Sequence, residues 1–273
     1  MFTNVMTMGR TTPARWAGGK SWLAPRVTRW ARATGLPIND PFLGGGAYVC
    51  HALLSGVEVA RASDASRFVI DMWAGLRAYP RRVPAAVVRL VASATERRYY
   101  EWRREWNAGD APLARRSALA WALNRTSFRG LLRVNSRGDF NAPYGHLGRP
   151  TFNADLAVTI GLLLDRVDVR LADFREAIEP GFATVCDPPY LGTHSSYTSG
   201  GWSEGDVADL VRVIEAAGCP AIVTDAWANR GLYPWPVEHA TRRGGMRDGA
   251  GRSGASLREM VATFDGGEMC RGR

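Results

Sequence analysis

The chain has 273 residues, of which 46% are hydrophobic and 22% are charged, and its net charge is +9. This length fits one large domain or one domain with an insertion, and the near-average composition excludes a mainly disordered chain. The sequence has neither a signal-peptide core in MFTNVMTMGR nor an apolar run of roughly 20 residues, so we expect a soluble, cytoplasmic protein with no membrane partner.

The first third of the chain alternates between helix and strand signals, and a glycine-rich loop separates two of them. In chain order the sequence predicts a helix from Ser21 to Gly35, a strand over Leu36–Asn39, a glycine loop over Asp40–Gly46, a helix over Ala47–Ser55 and a strand over Val57–Ser63 that closes on Asp64. This order is typical of a parallel α/β sheet.

The middle of the chain is strongly basic. From about residue 65 to 123 the pattern is helical, and residues 124–151 lose periodicity, which predicts an irregular loop or hairpin. Fifteen arginines and six acidic residues lie between Arg77 and Asp155, so this segment carries the whole net charge of +9. Such a segment indicates a polyanion partner, and a solvated helical face is the alternative.

Strand signals return after the basic segment. The sequence predicts strands over Val167–Ala172, Ala183–Cys186, Ala221–Thr224 and Leu257–Phe264, a helix over Val207–Ala217 and a mobile Gly/Arg-rich loop over Arg242–Ser256. The strands on both sides of the basic segment therefore predict one interrupted α/β sheet.

The four cysteines lie far apart and form neither a CxxC motif nor a Cys/His cluster. They are Cys50, Cys186, Cys219 and Cys270. Their spacing supports neither a zinc site nor a disulfide framework, so we expect no metal and a reducing compartment.

The glycine loop is the first candidate ligand site. Glycines after a strand let the backbone approach a ligand at the carboxyl edge of the sheet, and Asp64 at the end of the next strand can accept the hydroxyls of a ribose. A purely structural turn is the alternative. The loop fits neither GxGxxG nor GxxxxGK[ST], which disfavours NAD and ATP as ligands.

The second candidate is Asp187-Pro188-Pro189-Tyr190, directly after an apolar strand. Two prolines fix a stiff turn, so the Asp187 carboxylate and the Pro188 carbonyl can together hold an exocyclic amino group while Tyr190 stacks on its ring. This arrangement makes the amine more nucleophilic without a metal. An ordinary Asp-Pro turn is the alternative.

Five motifs in order resemble one known family. They are Arg15-Trp16-Ala17-Gly18-Gly19-Lys20, Asp40–Gly46, Asp64, the run Asn124–Asn135 with Gly138–Gly145, and Asp187–Tyr190. Together they are similar to the DNA adenine methylase (Dam) family of N6-adenine DNA methyltransferases of the DPPY type, over roughly Arg15 to Phe264.

The resemblance implies the fold and its division into domains. It implies a Rossmann-like, S-adenosylmethionine-dependent methyltransferase sheet of the α/β class with an inserted, mainly helical target-recognition domain. Residues 9–75 and 156–273 would form the catalytic domain. Residues 76–155 would recognise DNA and carry a base-reading hairpin near 124–146.

The resemblance also implies roles for particular residues. The residues implied in catalysis are Asp187, Pro188, Pro189 and Tyr190, and those implied in cofactor binding are Trp16, Lys20, Phe42, Gly44, Gly46, Asp64, Asp173 and Asp187. Lys20 is the only lysine in the chain, which favours a specific role over a surface one. For Asp173, an exposed acid at a strand end is the alternative.

The same family uses its hairpin to read bases in duplex DNA. The DNA-binding residues implied here are Phe128, Arg129, Arg133, Asn135, Asn141, Pro143 and His146. Phe128 would wedge into the base stack and Arg133 would pair with guanine. Arg129 replaces the Asn, and His146 the Arg, of the best-known members, so the implied target is GATC or a related sequence.

The implied reaction is methyl transfer from S-adenosylmethionine to N6 of an adenine that is extruded from duplex DNA. Two alternatives stay open on the sequence: related turns serve enzymes that methylate RNA bases or glutamine side chains, and a non-catalytic DNA-binding relative would keep the fold. The implied macromolecular partner is double-stranded DNA, with or without a cognate restriction nuclease.

Overall fold

The computed structural model describes residues 11–146, 148, 150–191, 201–240 and 259–267, and within them seven strands form one sheet. The strands are β1 Ile38–Asp40, β2 Val59–Asp64, β3 Asp168–Leu171, β4 Ala183–Cys186, β5 Ala221–Ala226, β6 Val237–Ala240 and β7 Glu259–Phe264. Their order is β3-β2-β1-β4-β5-β7-β6. The neighbours among β1 to β5 are parallel, whereas β7 is antiparallel to both β5 and β6.

Helices connect the parallel strands and form the segment between β2 and β3. The α-helices are α1 Ala24–Thr34, α2 Ala47–Leu54, α3 Arg67–Ala78, α4 Arg82–Ala92, α5 Glu96–Ala108, α6 Leu113–Thr126, α7 Ala154–Leu163, α8 Phe174–Ala177 and α9 Glu204–Ala217, with 3-10 turns at Phe128–Gly130, Leu164–Arg166 and Trp227–Leu232. No helix in the described ranges has the length and apolar character needed to cross a bilayer.

This arrangement confirms the predicted Rossmann-like α/β fold. Each predicted strand has a counterpart, and β4 has the predicted bounds. Helix α1 begins at Ala24 rather than Ser21, because Lys20–Leu23 form a preceding turn in which the Leu23 and Ala24 amides both donate to the Lys20 carbonyl. Strand β6 and helix α7 had no predicted counterpart, and the predicted loop Arg242–Ser256 lies outside the described residues.

Both faces of the sheet are covered by packed side chains. Successive side chains of a strand point to opposite faces, and alternate residues of β4 and β5 accordingly join two different apolar clusters. Ala183, Val185 and Ile222 pack into the cluster that contains α1 and α2, whereas Cys186 and Val223 pack into the cluster that contains α9. Such two-sided burial explains why β4 and β5 are fully buried.

The basic helices pack against α3, which joins them to the sheet. The Trp121 indole of α6 donates to the Met72 carbonyl of α3 at 2.9 Å, and its ring lies 5.1 Å from that of Trp73. The predicted recognition domain, 76–155, thus begins inside α3 and ends in the first turn of α7. Its division from the catalytic domain stays a prediction.

A short hairpin follows α6 where the sequence predicts a loop or hairpin. The Phe128 amide donates to the Pro143 carbonyl and the Asn141 amide donates to the Arg133 carbonyl. Isolated antiparallel bridges pair Ser127 with Tyr144 and Val134 with Phe140. Residues 127–144 therefore run out from the helical segment and return to it.

The candidate site lies between β1 and β4, where the order in which the chain adds strands to the sheet reverses. Strands β1 and β4 are parallel neighbours, although β1 connects toward β2 on one side and β4 toward β5 on the other. In open α/β sheets, ligands bind at the carboxyl ends of the strands at such a point. Asp40 ends β1, Asp64 ends β2 and Asp187 follows β4, so three carboxyl groups meet at this edge.

Candidate active site

Two tryptophans shape the glycine loop between β1 and α2. Gly44 and Gly46 have positive φ angles of 43° and 66°, and the Trp73 indole donates to the Gly44 carbonyl at 2.9 Å. A Cβ atom on Gly46 would lie 2.5 Å from the Trp73 ring, and one on Gly45 would lie 2.6 Å from Trp16. Side chains are thus excluded from the loop by both backbone conformation and packing.

Asp64 holds the glycine loop against β2. Its carboxylate accepts hydrogen bonds from the Gly44 amide at 2.9 Å and the Ser66 amide at 2.8 Å. Burial raises the pKa of Asp64 to about 6, and the two amide donors partly offset that effect. Each carboxylate oxygen has further acceptor capacity, so Asp64 can also accept from a ligand.

Asp40 is a fully buried acid at the end of β1. Its carboxyl group accepts a hydrogen bond from the Phe42 amide at 3.1 Å. Burial raises the pKa of Asp40 to about 8, and the nearby charges of Asp187 and Asp64 add to that rise. Asp40 is therefore mainly protonated at neutral pH, which limits the negative charge at this edge of the sheet.

Three side chains converge on one oxygen of Asp187. Thr224 Oγ1 donates to Asp187 Oδ1 at 2.6 Å, the Tyr190 hydroxyl donates to the same oxygen at 3.4 Å, and Lys20 Nζ lies 3.3 Å from it. Among the residues that the structure describes, none donates to Oδ2. The second oxygen can therefore accept from a ligand.

Lys20 is buried beside the Asp187–Tyr190 turn and contacts several of its groups. Its ammonium group donates to the Gly18 carbonyl at 2.9 Å and lies 3.8 Å from Glu259 Oε1. It also lies 4.8 Å from the centre of the Tyr190 ring, which gives a cation–π contact. The predicted cofactor residue Lys20 and the predicted catalytic residues Asp187 and Tyr190 thus form one cluster.

A cavity of about 350 Å³ joins these groups. Its lining includes every residue predicted to act in catalysis or cofactor binding: Trp16, Lys20, Phe42, Gly44, Gly46, Asp64, Asp173, Asp187, Pro188, Pro189 and Tyr190. On one side, the rings of Phe42, Phe174 and Trp202 lie 5.4 to 5.8 Å from one another. The cavity therefore combines an apolar aromatic wall with a group of carboxyl groups.

Asp173 lies at the rim of the cavity and also caps a helix. Its carboxylate accepts from the Arg175 amide at 2.9 Å at the start of α8, and it pairs with the Arg175 guanidinium. Arg175 in turn pairs with Asp206 and Asp209 of α9. Both interpretations from the sequence, a cofactor contact and an acid at a strand end, are compatible with this position.

Phe128 and Arg129 form the exposed tip of the turn after α6. The Phe128 ring is 43% exposed, and the Arg129 guanidinium lies 5.3 Å from its centre. Arg129 has a φ of 54°, a left-handed conformation that is unfavourable for a residue with a side chain. Together the two residues present a cation and an aromatic ring to solvent.

The other predicted DNA-binding residues divide into two groups. Arg133 donates to both the Oδ1 atom and the carbonyl of Asn141, and the Asn135 side chain bonds to residues 137 and 139 of its own turn, so these contacts shape the hairpin. Pro143 accepts from the Phe128 amide through its carbonyl, and His146 is exposed with a φ of 45°. None of the predicted DNA-binding residues lines the cavity.

The base of the hairpin is tied to the amino-terminal motif. The Arg15 amide donates to Asn124 Oδ1 at 2.9 Å, and Asn124 Nδ2 donates back to the Arg15 carbonyl at 2.7 Å. A Cβ atom on Gly130 would lie 2.5 Å from that same carbonyl oxygen. The loop that carries Trp16 and Lys20 therefore lies directly against the hairpin.

Several residues at the site were not among the predicted site residues, and they include Asp40 and Glu259, which line the cavity, and Thr224, which donates to Asp187. Asp40 begins the Asp40–Gly46 motif, so the sequence itself indicates that Asp40 lies at the site. Thr224 and Glu259 depend on strand pairing: Thr224 lies opposite Val261, and Glu259 lies two residues earlier on the same face of β7. No short motif marks that pairing.

Among the described residues, no group of three or more His, Cys, Asp and Glu side chains could hold a metal ion. Cys50, Cys186 and Cys219 are buried free thiols.

Comparison with known proteins places the chain in a defined group. The sequence model of the family described as D12 class N6 adenine-specific DNA methyltransferase matches residues 16–218. The chain is 28% identical over 260 residues to the DNA adenine methylase of retron Ec67 from Escherichia coli, across 90% of each protein. It is 26% identical over 268 residues to the DNA adenine methylase of Vibrio cholerae, across 92% of this chain and 94% of the relative. A type II methyltransferase of Methanocaldococcus jannaschii is 25% identical over 251 residues, across 78% of this chain and 83% of the relative.

Proposed function

The chain belongs to the family of D12 class N6 adenine-specific DNA methyltransferases, and from that premise we propose that it transfers a methyl group from S-adenosylmethionine to N6 of adenine in duplex DNA. The observation that carries this proposal is the Asp187 carboxylate. Three side chains of the protein hold its Oδ1 atom, its Oδ2 atom can accept from a substrate, and the Tyr190 ring lies beside it.

The cavity fits S-adenosylmethionine in size and in chemistry. The glycine loop lines the cavity without side chains, so a ligand can approach its backbone, and the aromatic wall of Phe42, Phe174 and Trp202 suits an adenine ring. Asp64 is placed to accept from ribose hydroxyls, and Asp187 and Glu259 provide negative charge near a sulfonium. Bound S-adenosylmethionine supplies an electrophilic methyl group.

The residues of the catalytic turn orient the amino group that accepts the methyl. The Asp187 carboxylate and the Pro188 carbonyl accept its two N–H groups, which directs the nitrogen lone pair away from the adenine ring. Lys20 contacts the Tyr190 ring, and an extruded adenine stacks on the opposite face of that ring. Positioning of this kind supplies most of the acceleration.

We assign DNA recognition to residues 76–155, and the exposed pair Phe128 and Arg129 supports this assignment. The basic segment neutralises phosphates, and the hairpin reads bases in GATC or a related sequence. Arg129 and His146, the two residues that differ from the best-known members, both have left-handed backbone conformations. An enzyme of this type acts in the cytoplasm, with or without a cognate nuclease.

Methylation-sensitive sequencing tests the proposal. The chain and its Asp187→Ala variant are expressed in cells that lack other adenine methylases, with Asp168→Asn on the exposed edge strand β3 as a matched acidic control. We expect N6-methyladenine in one short motif for the wild type and the Asp168→Asn variant, and none for Asp187→Ala. Unmodified adenine with the folded wild type, or undiminished methylation with Asp187→Ala, would overturn the proposal.

A further inference from the structure

We infer that Thr224 is a positioning residue for the methyl transfer, which commits Asp187 Oδ1 to the protein and leaves Oδ2 to accept from the adenine amino group. This inference rests on the proposed function. Thr224 is part of β5, whereas the catalytic turn follows β4, the neighbouring parallel strand. Thr224 therefore contacts the Asp187–Tyr190 turn from a neighbouring strand.

The contact between Thr224 and Asp187 is short and buried. Thr224 Oγ1 donates to Oδ1 at 2.6 Å, a distance typical of a strong hydrogen bond from a hydroxyl to a carboxylate. Thr224 is only 1% exposed, so water does not compete freely for its hydroxyl. A second contact of that hydroxyl, with the Cys186 carbonyl, is longer at 3.4 Å, and the side chains of Tyr48 and Tyr190 also interact with it.

The Thr224 bond decides how the carboxylate is oriented. Lys20 Nζ lies 3.3 Å from Oδ1, but a contact between charges alone does not fix which oxygen faces the lysine, because an Asp side chain can rotate to present either of them. The Thr224 hydroxyl is fixed in the sheet and removes that freedom, because it donates a directional hydrogen bond to Oδ1. Asp187 is 25% exposed in its side chain, and its second oxygen is thereby available to a substrate in the cavity.

The strand explains why threonine suits this position. A β-branched side chain has few rotamers in a strand, so its hydroxyl is held in one direction at little entropic cost. Pairing with Val261 of β7 covers the residue from the other side. Serine would keep the donor and lose the methyl group, whereas valine would keep the shape and lose the donor.

The test compares three variants of the full chain in turnover, cofactor binding and thermal unfolding. They are Thr224→Val, Thr224→Ser and, as a matched control, Thr28→Val, which removes a buried hydroxyl that contacts His51 on α2. We expect Thr224→Val to lower kcat on duplex DNA about 10- to 100-fold, with the Kd for S-adenosylmethionine and the KM for DNA changed about twofold or less. Thr224→Ser and Thr28→Val should keep most of the wild-type kcat.

Each outcome distinguishes a positioning role of Thr224 in methyl transfer from a purely structural role. An unchanged kcat for Thr224→Val, or a loss for Thr224→Ser as large as for Thr224→Val, overturns the inference, as does a parallel loss of cofactor affinity and kcat. If Thr224→Val lacks a cooperative thermal transition, Thr224→Ala removes the same hydroxyl and is judged by the same criteria. A folded wild-type chain that binds S-adenosylmethionine but methylates no adenine refutes the proposed function itself, and this inference with it.

Discussion

Lys20 Nζ lies 3.3 Å from Asp187 Oδ1, and this ion pair joins the amino-terminal loop to the Asp187–Tyr190 turn. The same ammonium group lies 3.8 Å from Glu259, so one cation near the start of the chain serves two carboxylates from its second half. The lysine side chain is only 5% exposed, against 25% for Asp187 and 18% for Glu259. Charge balance in the cavity therefore depends on Lys20.

Replacing Lys20 by methionine should destabilise the protein and abolish turnover. The change keeps the packing of the side-chain stem but leaves two partly buried carboxylates without their cation, which costs about 2 to 4 kcal/mol of unfolding free energy. Urea unfolding measures the loss. Arg97→Met breaks the exposed ion pair with Glu101 and should cost less than about 1 kcal/mol. Equal losses in the two variants would show that burial of the Lys20 cluster has no effect.

Gly46→Ala should be more destabilising than Gly56→Ala, although the two glycines have nearly equal φ angles of 66° and 69°. Both variants bear the backbone strain of a left-handed alanine, about 1 kcal/mol. Only Gly46→Ala adds a collision with Trp73, so we expect it to lose about 2 to 4 kcal/mol in total and to bind S-adenosylmethionine more weakly. Thermal unfolding and calorimetric titration test the difference, and similar losses at both positions would contradict it.

Asp40 should make the protein less stable as pH rises toward 8. Its pKa is about 8 in the fold and near 4 when unfolded, so the native state binds the extra proton between those values and loses stability with rising pH. The pKa of Asp64, about 6, gives a similar effect that ends near pH 6. Between about pH 6 and 8 the falling slope belongs mainly to Asp40 and reaches at most about 1.4 kcal/mol per pH unit, whereas the pKa of His51, which burial lowers, adds a slope of opposite sign that fades above about pH 6.5.

Asp40→Asn should remove that slope, because asparagine does not titrate and its carbonyl oxygen can still accept from the Phe42 amide. Denaturant unfolding at several pH values between 5 and 9 measures the effect. Asp64→Asn is the matched control and should change the slope mainly below about pH 6, because the charge of Asp64 contributes only a minor part of the raised pKa of Asp40. A wild-type stability that stays level from pH 6 to 8 would exclude a protonated Asp40.

Arg129→Gly should weaken DNA binding without weakening the fold. Glycine accepts the φ of 54° without strain, so the free energy of unfolding should stay level or rise by up to about 1 kcal/mol. Loss of the guanidinium should reduce affinity for duplex DNA about tenfold or more. Arg137→Gly, in the same hairpin but without a positive φ, should lower stability. Fluorescence anisotropy gives the affinities, and unaltered binding by Arg129→Gly would exclude Arg129 from the interface.

Local sequence patterns predict the central sheet well. The strand Ala183–Cys186 is an apolar run with a turn directly after it, so both its type and its bounds follow from the sequence. Strand β6 does not follow in this way, because it is a short edge strand whose Glu238 and His239 are exposed. Helix α7 begins with Asn153 as its cap, a signal that a long irregular segment beforehand obscures.

Within the site, predictability depends on distance along the chain. Residues that belong to a contiguous motif, such as Gly44 and Tyr190, can be assigned from the sequence and line the cavity. Thr224 and Glu259 could not be assigned, because the parallel pairing of β4 with β5 brings Thr224 beside Asp187, and the antiparallel pairing of β5 with β7 brings Glu259 near Lys20. Register is a property of the folded sheet, and no single residue type encodes it.

The order of the strands also bears on how the chain can be shortened. The segment 16–218 that matches the family contains β1 to β4, whereas β5, β6 and β7 lie beyond Gly218. A fragment that ends there would keep β1 beside β4 but lose β5, and it would expose one backbone edge of the four fully buried residues of β4. An apolar open edge of this kind pairs with other chains and aggregates. The last three strands thus protect the sheet from self-association between molecules.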